Sequence, residues 1–172
     1  MKFIYNKEID QQCHDRLSAH DSIFGEVKKT GSYPVTEEIV KQFNDKWTEE
    51  IDKYFVAGIY KIFKKSIPEN FTVYINSTPY SMDIEDGISI SASSINVMIM
   101  LVCHEANHYM FRKSDYKNKY FPNKDIEEAK EIFTVVNNIY FKDIMEKEDK
   151  AWSKFFEERE QFLQRWKDRF AG

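Results

Sequence analysis

The sequence predicts an α+β fold, mostly helical, with a small β-sheet placed before its most apolar helix. Three observations predict it. Apolar residues recur at spacings of three and four over 39–62, 126–140 and 152–166, the period of helices with one buried face. Two short segments, Phe71–Asn76 and Ile88–Ser91, have the composition and alternation of strands. The run Leu101-Val102-Cys103-His104-Glu105-Ala106-Asn107-His108 follows them, an apolar, helix-forming stretch that carries His-Glu-x-x-His.

Residues 1–35 are weakly patterned and contain Gly25, Gly31 and Pro34, which reads as a short helix and loops wrapping the rest. Thr36 followed by Glu37-Glu38 reads as an N-cap with acids in the first helical turn. Ile39, Phe43, Trp47, Ile51, Tyr54, Phe55, Ile59 and Ile62 extend it into a single long amphipathic helix that ends before Pro68. Its aromatic stripe reads as core packing. Phe71–Asn76 is the first strand, broken by Ser77-Thr78-Pro79, and Asp86-Gly87 marks a turn. Ile88–Ser91 is a second strand with one polar face, whose serines suit a solvent-facing edge able to receive an extended substrate. Ser93 or Ser94 then caps the histidine-bearing helix. Arg112–Asn123 reads as a polar, Tyr-rich loop. Asp125 opens a helix through Ile126, Ala129, Ile132, Phe133, Val136 and Tyr140, and a last helix runs from about Asp149 to Phe170. No internal repeat or low-complexity linker divides the chain. Residues 1–172 read as a single domain, with a core at about 71–141 flanked by N- and C-terminal helices.

The net charge of −4 comes from interspersed acids and bases, with no basic face of the kind nucleic acid requires. Lys28-Lys29 and Lys64-Lys65 are short pairs that read as solvated helix surface. No stretch approaches a membrane span, and the start becomes charged before any apolar segment of signal-peptide length. Two cysteines, Cys13 and Cys103, make no disulfide framework, and Cys103 reads as small core packing. A protein of the reducing cytoplasm, with neither nucleic acid nor membrane as partner, is expected.

Positions four apart share one face of a helix, so His104 and His108 can close on one metal ion. Glu105 is offset round the helix, where it reaches a bound water more easily than the metal. Two neutral nitrogen ligands, an open position and a carboxylate base are what a zinc hydrolase needs. Catalytic zinc usually takes a third protein ligand. His14 and His20 lie far upstream, whereas the helix after the loop offers Glu127, Glu128 and Glu131. Glu127 and Glu128 occupy the first turn, where the helix dipole alone explains acids. Glu131 lies deeper, and its stripe continues through Thr134 and Asn138, polar groups in an apolar segment that suggest a face turned toward a polar site. Glu131 is the preferred third ligand, with Glu128 and Glu127 as alternatives. Tyr109, Tyr116 and Tyr120 are near enough in sequence to supply an oxyanion donor.

The order of two strands, His104-Glu105-Ala106-Asn107-His108, a loop and a Glu-bearing helix resembles the gluzincin metallopeptidases over roughly 71–141. Glu128-Ala129 followed by Ile132-Phe133 is distantly similar to the glutamate helix of small phage-repressor-degrading metallopeptidases. The chain departs from the gluzincin pattern after the second histidine, where Tyr109-Met110-Phe111 replaces a glycine or small residue. The resemblance implies a minimal zincin-like domain in which Zn2+ is held by His104 and His108 and Glu105 is the general base. It implies a cytoplasmic zinc peptidase hydrolysing a peptide bond in a protein or peptide substrate. The alternative expectation is a non-catalytic binding or regulatory protein of zincin fold, with a structural or vestigial metal.

Overall fold

The structure is a computed structural model and describes residues 1–19 and 32–170. His20, Gly25, Gly31 and the Lys28-Lys29 pair lie outside the described residues. The fold is α+β: helices surround one small mixed sheet.

The first residues are more ordered than their weak pattern suggests. Phe3–Tyr5 forms strand β1 and Lys7–Ala19 forms helix α1. The helix expected from Thr36 to Pro68 is two helices, α2 (Glu37–Lys46) and α3 (Glu49–Phe63). Thr36 caps the first as expected, its side chain accepting from Ile39 N. The break comes from a second cap: Thr48 is extended, and its hydroxyl accepts from Ile51 N. Trp47 is turned inward, and its indole donates to Asp52 at 2.7 Å.

Strand β2 is Thr72–Asn76, one residue shorter than expected, because Phe71 N donates to Pro68 O in a turn. Strand β3, Met82–Ile84, was not legible in the alternation. Strand β4 is Gly87–Ser91. The sheet order is β1-β2-β4-β3, with β1, β2 and β4 parallel and β3 antiparallel to β4. Gly87 is required by close approach: a Cβ there would lie 1.9 Å from Thr72 O on the neighbouring strand. The expectation that β4 is a solvent-facing edge is overturned. It lies between β2 and β3 and is buried along its length. Its serines face inward with partners of their own: Ser89 Oγ accepts from Asn76 Nδ2 at 2.7 Å, and Ser91 Oγ donates to Thr78 O. The edges are β1 and β3.

A 3₁₀ turn, Ala92–Val97, leads into helix α4 (Met98–Arg112), which bears the histidines. Neither Ser93 nor Ser94 caps it. Ser91 caps the 3₁₀ turn, and the α4 start is capped from afar: the Glu146 carboxylate accepts from Ile99 N at 3.1 Å and Met100 N at 3.0 Å. All of α4 but Leu101 and Arg112 is buried, so this helix is the centre of the molecule.

The expected loop after Arg112 contains a short helix, α5 (Tyr116–Tyr120). Asp125 caps α6 (Ile126–Phe133) as expected, and a 3₁₀ turn, Thr134–Val136, joins it to α7 (Asn137–Tyr140). The tightening follows from diversion of the Glu131 carbonyl, which accepts from Thr134 Oγ1 at 2.9 Å and from Arg159. The last helix begins later than expected. Helix α8 is Phe156–Phe170, preceded by a 3₁₀ turn at Ser153–Phe155, and Asp149 is a buried residue of the preceding loop. The terminal elements share the core. Phe133 of α6 has Phe63, Phe111, Tyr116, Phe162 and Trp166 around it, with ring centroids 5.0–5.7 Å away. Such aromatic pairs add roughly 0.5–1.5 kcal/mol each beyond their burial, and they fix α6 two residues beyond Glu131.

Candidate metal centre

On α4, His104 and His108 lie one turn apart with ring centroids separated by 4.3 Å. Both are buried, as are Glu105 and Glu131. Helix α6 runs antiparallel beside α4, since His108 meets Glu131 while Arg112, one turn later, meets Glu127, one turn earlier. This crossing brings the Glu131 carboxylate to both rings: Oε2 is 3.5 Å from His104 Nε2, and Oε1 is 3.5 Å from His108 Nε2.

The far nitrogens are occupied. His104 Nδ1 lies 3.1 and 3.0 Å from the two oxygens of Asp149. A buried carboxylate there orients the ring so that Nε2 faces Glu131. His108 Nδ1 lies 3.3 Å from Glu105 Oε2. Among the described residues, His104, Glu105 and His108 offer possible ligand atoms within 4.8 Å of one another. Glu105 meets His108 at Nδ1. The carboxylate facing both Nε2 atoms is that of Glu131.

His108 Nε2 and Glu131 Oε2 are buried polar atoms without a hydrogen-bond partner among the described residues; Asn107 Oδ1 is another. An unsatisfied buried group costs about 1–3 kcal/mol, and a cation between imidazoles and carboxylate would relieve it. The charges here offset one another. Burial works to raise the Glu131 carboxyl, but the imidazoles of His108 and His104 and the Lys130 ammonium hold it at about 2. Burial works to lower His104, and the carboxylates of Asp149 and Glu131 outweigh it, so that His104 sits well above the ordinary value.

Asp149 is itself held on several sides. Its backbone N donates to Asn138 Oδ1 at 2.8 Å and its carbonyl accepts from Asn138 Nδ2 at 2.9 Å. Asn137 Nδ2 donates to its carboxylate at 3.1 Å, and Arg159 donates to its carbonyl. Sequence reasoning missed Asp149 because it precedes a helical stripe and looks like that helix's start. The polar stripe of Thr134 and Asn138 was a partial signal. It faces Arg159 and the Asp149 loop, one layer behind the rings.

The other sequence candidates fall elsewhere. Glu127 pairs with Arg112 and with Lys130 Nζ at 2.9 Å. Glu128 is half-buried in the first turn of α6, where its backbone N meets the Asp125 cap. His14 Nε2 is 2.8 Å from Ser77 Oγ, in a cluster with Asp10. Tyr109 packs edge-on against Phe71, Tyr116 donates to Ile62 O, and Tyr120 packs against Phe162 and Trp166. None of the three lines the cavity over the site; Tyr80 does. Burial, then the carboxylates of Asp149 and Glu146, push the Cys103 thiol well above its ordinary range, consistent with packing rather than ligation.

The two histidines, Glu105 and Glu131 face a cavity of about 1060 Å³. One wall is 79–83, ending on β3, and the other is the loop 147–152. None of the described helices is long and apolar enough to cross a membrane. Comparison with family models, curated proteins and solved structures gives no match, and the geometry alone carries the functional reading.

Proposed function

We propose that this chain is a zinc-dependent peptidase of gluzincin type, with His104, His108 and Glu131 as metal ligands and Glu105 as general base. The observation that carries the reading is the buried Glu131 carboxylate lying 3.5 Å from the Nε2 atoms of both His104 and His108 beside a large cavity, with His108 Nε2 and Glu131 Oε2 lacking a hydrogen-bond partner among the described residues. Two nitrogens and one oxygen are a three-ligand set that leaves a position open, as catalytic zinc requires and structural zinc does not.

A zinc ion held there by His104, His108 and Glu131 would supply a Lewis acid able to activate water at neutral pH. The chain's residues do the rest. Asp149 would hold the proton on His104 Nδ1 and so turn Nε2 toward the ion as a ligand. Glu105 lines the same cavity and accepts the proton of the attacking water, then delivers it to the departing amine nitrogen. The cavity has room for several residues of a protein or peptide substrate. We place the protein in the cytoplasm, where its two buried free thiols are preserved.

The metal content of purified protein tests the ligands. Wild type should hold one zinc per chain and His108→Ala none. Glu131→Gln should weaken binding more than Glu127→Gln or Glu128→Gln; the reverse order would reassign the ligand. Turnover tests the base. Glu105→Gln should keep fold and zinc while losing activity on an unbiased peptide library by on the order of a hundred- to ten-thousandfold. Cleavage equal to wild type would assign the activity elsewhere.

One observation favours a second reading, a non-catalytic zincin-like protein with a structural metal. Glu105 Oε2 approaches His108 Nδ1 at 3.3 Å, and orienting that ring is a task for a carboxylate that needs no catalysis. Zinc binding without cleavage by wild type would select it.

A further inference from the structure

A second charge cluster lies beside the candidate metal centre, and the chemistry proposed above has no use for it. Asp83 of the edge strand β3 is buried, with 5% of its surface exposed. Its carboxylate meets cations from three helices: Arg112 Nε of α4 at 2.5 Å, Lys130 Nζ of α6 at 3.0 Å and Arg16 Nη2 of α1 at 3.9 Å. Glu127 of α6 closes the ring through Arg112 and Lys130. Burying such a cluster is poorly repaid in stability, because the desolvation of each ion offsets the attraction between them. What it does supply is geometry, since its members meet in only one arrangement of their elements.

The placement of that geometry is specific. Arg112 follows His108 by four residues and Glu127 precedes Glu131 by four. On antiparallel helices these positions form the next rung beyond the His108–Glu131 contact. Lys130 adjoins Glu131 directly. A slide of α6 along α4 by one residue is 1.5 Å, which would displace both rungs together. Zinc–ligand distances tolerate only about 0.2 Å. Among the described residues no hydrogen bond or ion pair joins Asp83 to His104, His108 or Glu131, but His108 and Asp83 do act on each other by charge through space. Losing the positive charge of Arg112 would act on the ion in the opposite sense to losing Asp83, so a loss in both variants marks the brace.

We propose that Asp83, with Arg112, Lys130 and Glu127, is a positioning brace that sets the register of α4 against α6, so that His104, His108 and Glu131 close on one ion. The inference rests on the zinc reading of the site. Asp83 is a positioning residue: it shapes the site without touching the ion.

The test is zinc affinity of the full chain, measured by competition with a chromogenic chelator well below the melting temperature. Asp83→Asn keeps the shape and removes the charge, and should weaken zinc binding about tenfold or more. Asp83→Glu should recover part of that loss. Arg112→Gln, at a side chain 30% exposed and therefore tolerant of change, should weaken binding in the same direction even where Asp83→Asn fails to fold. Asp10→Asn is the control. It removes another buried carboxylate, which ties α1 to Ser77, and should lower the melting temperature without moving zinc affinity. Wild-type affinity in both Asp83→Asn and Arg112→Gln would overturn the brace alone. Equal loss in Asp10→Asn would also overturn it, since any destabilisation would then suffice. Failure of wild type to bind zinc would overturn the metal centre and the brace with it.

Discussion

His104 spends its two ring nitrogens on different partners, Asp149 on one side and Glu131 on the other. Its neighbour at the motif's end, His108, has an Nε2 without a hydrogen-bond partner among the described residues, 3.5 Å from Glu131 Oε1. The His-Glu-x-x-His pairing was legible because a four-residue helical spacing is a local property. Asp149 was not, because it is 45 residues from His104 and its own neighbours resemble a helix start. Glu131 was preferred for the polar residues along its stripe, and it does face both rings; but Thr134 and Asn138 hold Arg159 and the Asp149 loop rather than facing the rings. Asp149→Asn should therefore weaken zinc binding by roughly 10–100-fold with the helical content of the protein preserved. The check is chelator competition alongside circular dichroism. Unchanged affinity would show that the carboxylate does not set the His104 tautomer.

At the scale of elements, caps decide more than periodicity does. The stripe from Ile39 to Ile62 keeps helical spacing across Trp47–Thr48, yet the chain breaks there into α2 and α3. The break was visible as a repeated signal, since Thr48-Glu49-Glu50 restates Thr36-Glu37-Glu38. Thr48→Ala removes the hydroxyl that accepts from Ile51 N. It should cost about 1 kcal/mol, seen as a melting temperature lower by roughly 2–4 °C. No change would mean that Trp47 and its bond to Asp52 suffice to hold the break. The start of α4 shows the opposite case. Its cap is Glu146, 47 residues from Ile99, and no serine nearby could have revealed it.

In the whole molecule, the loop carrying Glu146 and Asp149 grips the histidine-bearing helix α4 at its start and at its first histidine, while α3 presses on the segment before that loop. Gly58 of α3 sits against Phe141: a Cβ there would lie 2.1 Å from Cε1 of the ring. Phe141 is fully buried and stacks on Phe55 at 5.9 Å, so it has little room to withdraw. Gly58→Ala gains helix propensity of about 1 kcal/mol, but overpacking costs about 1–3 kcal/mol and commonly more than the gain. A lower urea midpoint with an unchanged slope is expected; a raised midpoint would mean that the ring yields freely.

The class of fold, the strands at 72–76 and 87–91, the caps at Thr36 and Asp125, and the His104–Glu105–His108 unit were all settled within a few residues of chain. Periodicity, capping and helical spacing act over that range, and each can be read wherever it occurs. Sheet order, the burial of Ser89 and Ser91, the placing of β1 and β3 rather than β4 at the sheet edges and the meeting of Asp149, Glu131 and Asp83 with α4 were decided by tertiary structure. Those contacts pair residues distant along the chain, and a carboxylate carries no local mark of the cation or imidazole it will meet. Which acid reaches the histidines depends on how α6 and the 146–152 loop cross α4, and the packing of Phe133 and Phe141 sets that crossing.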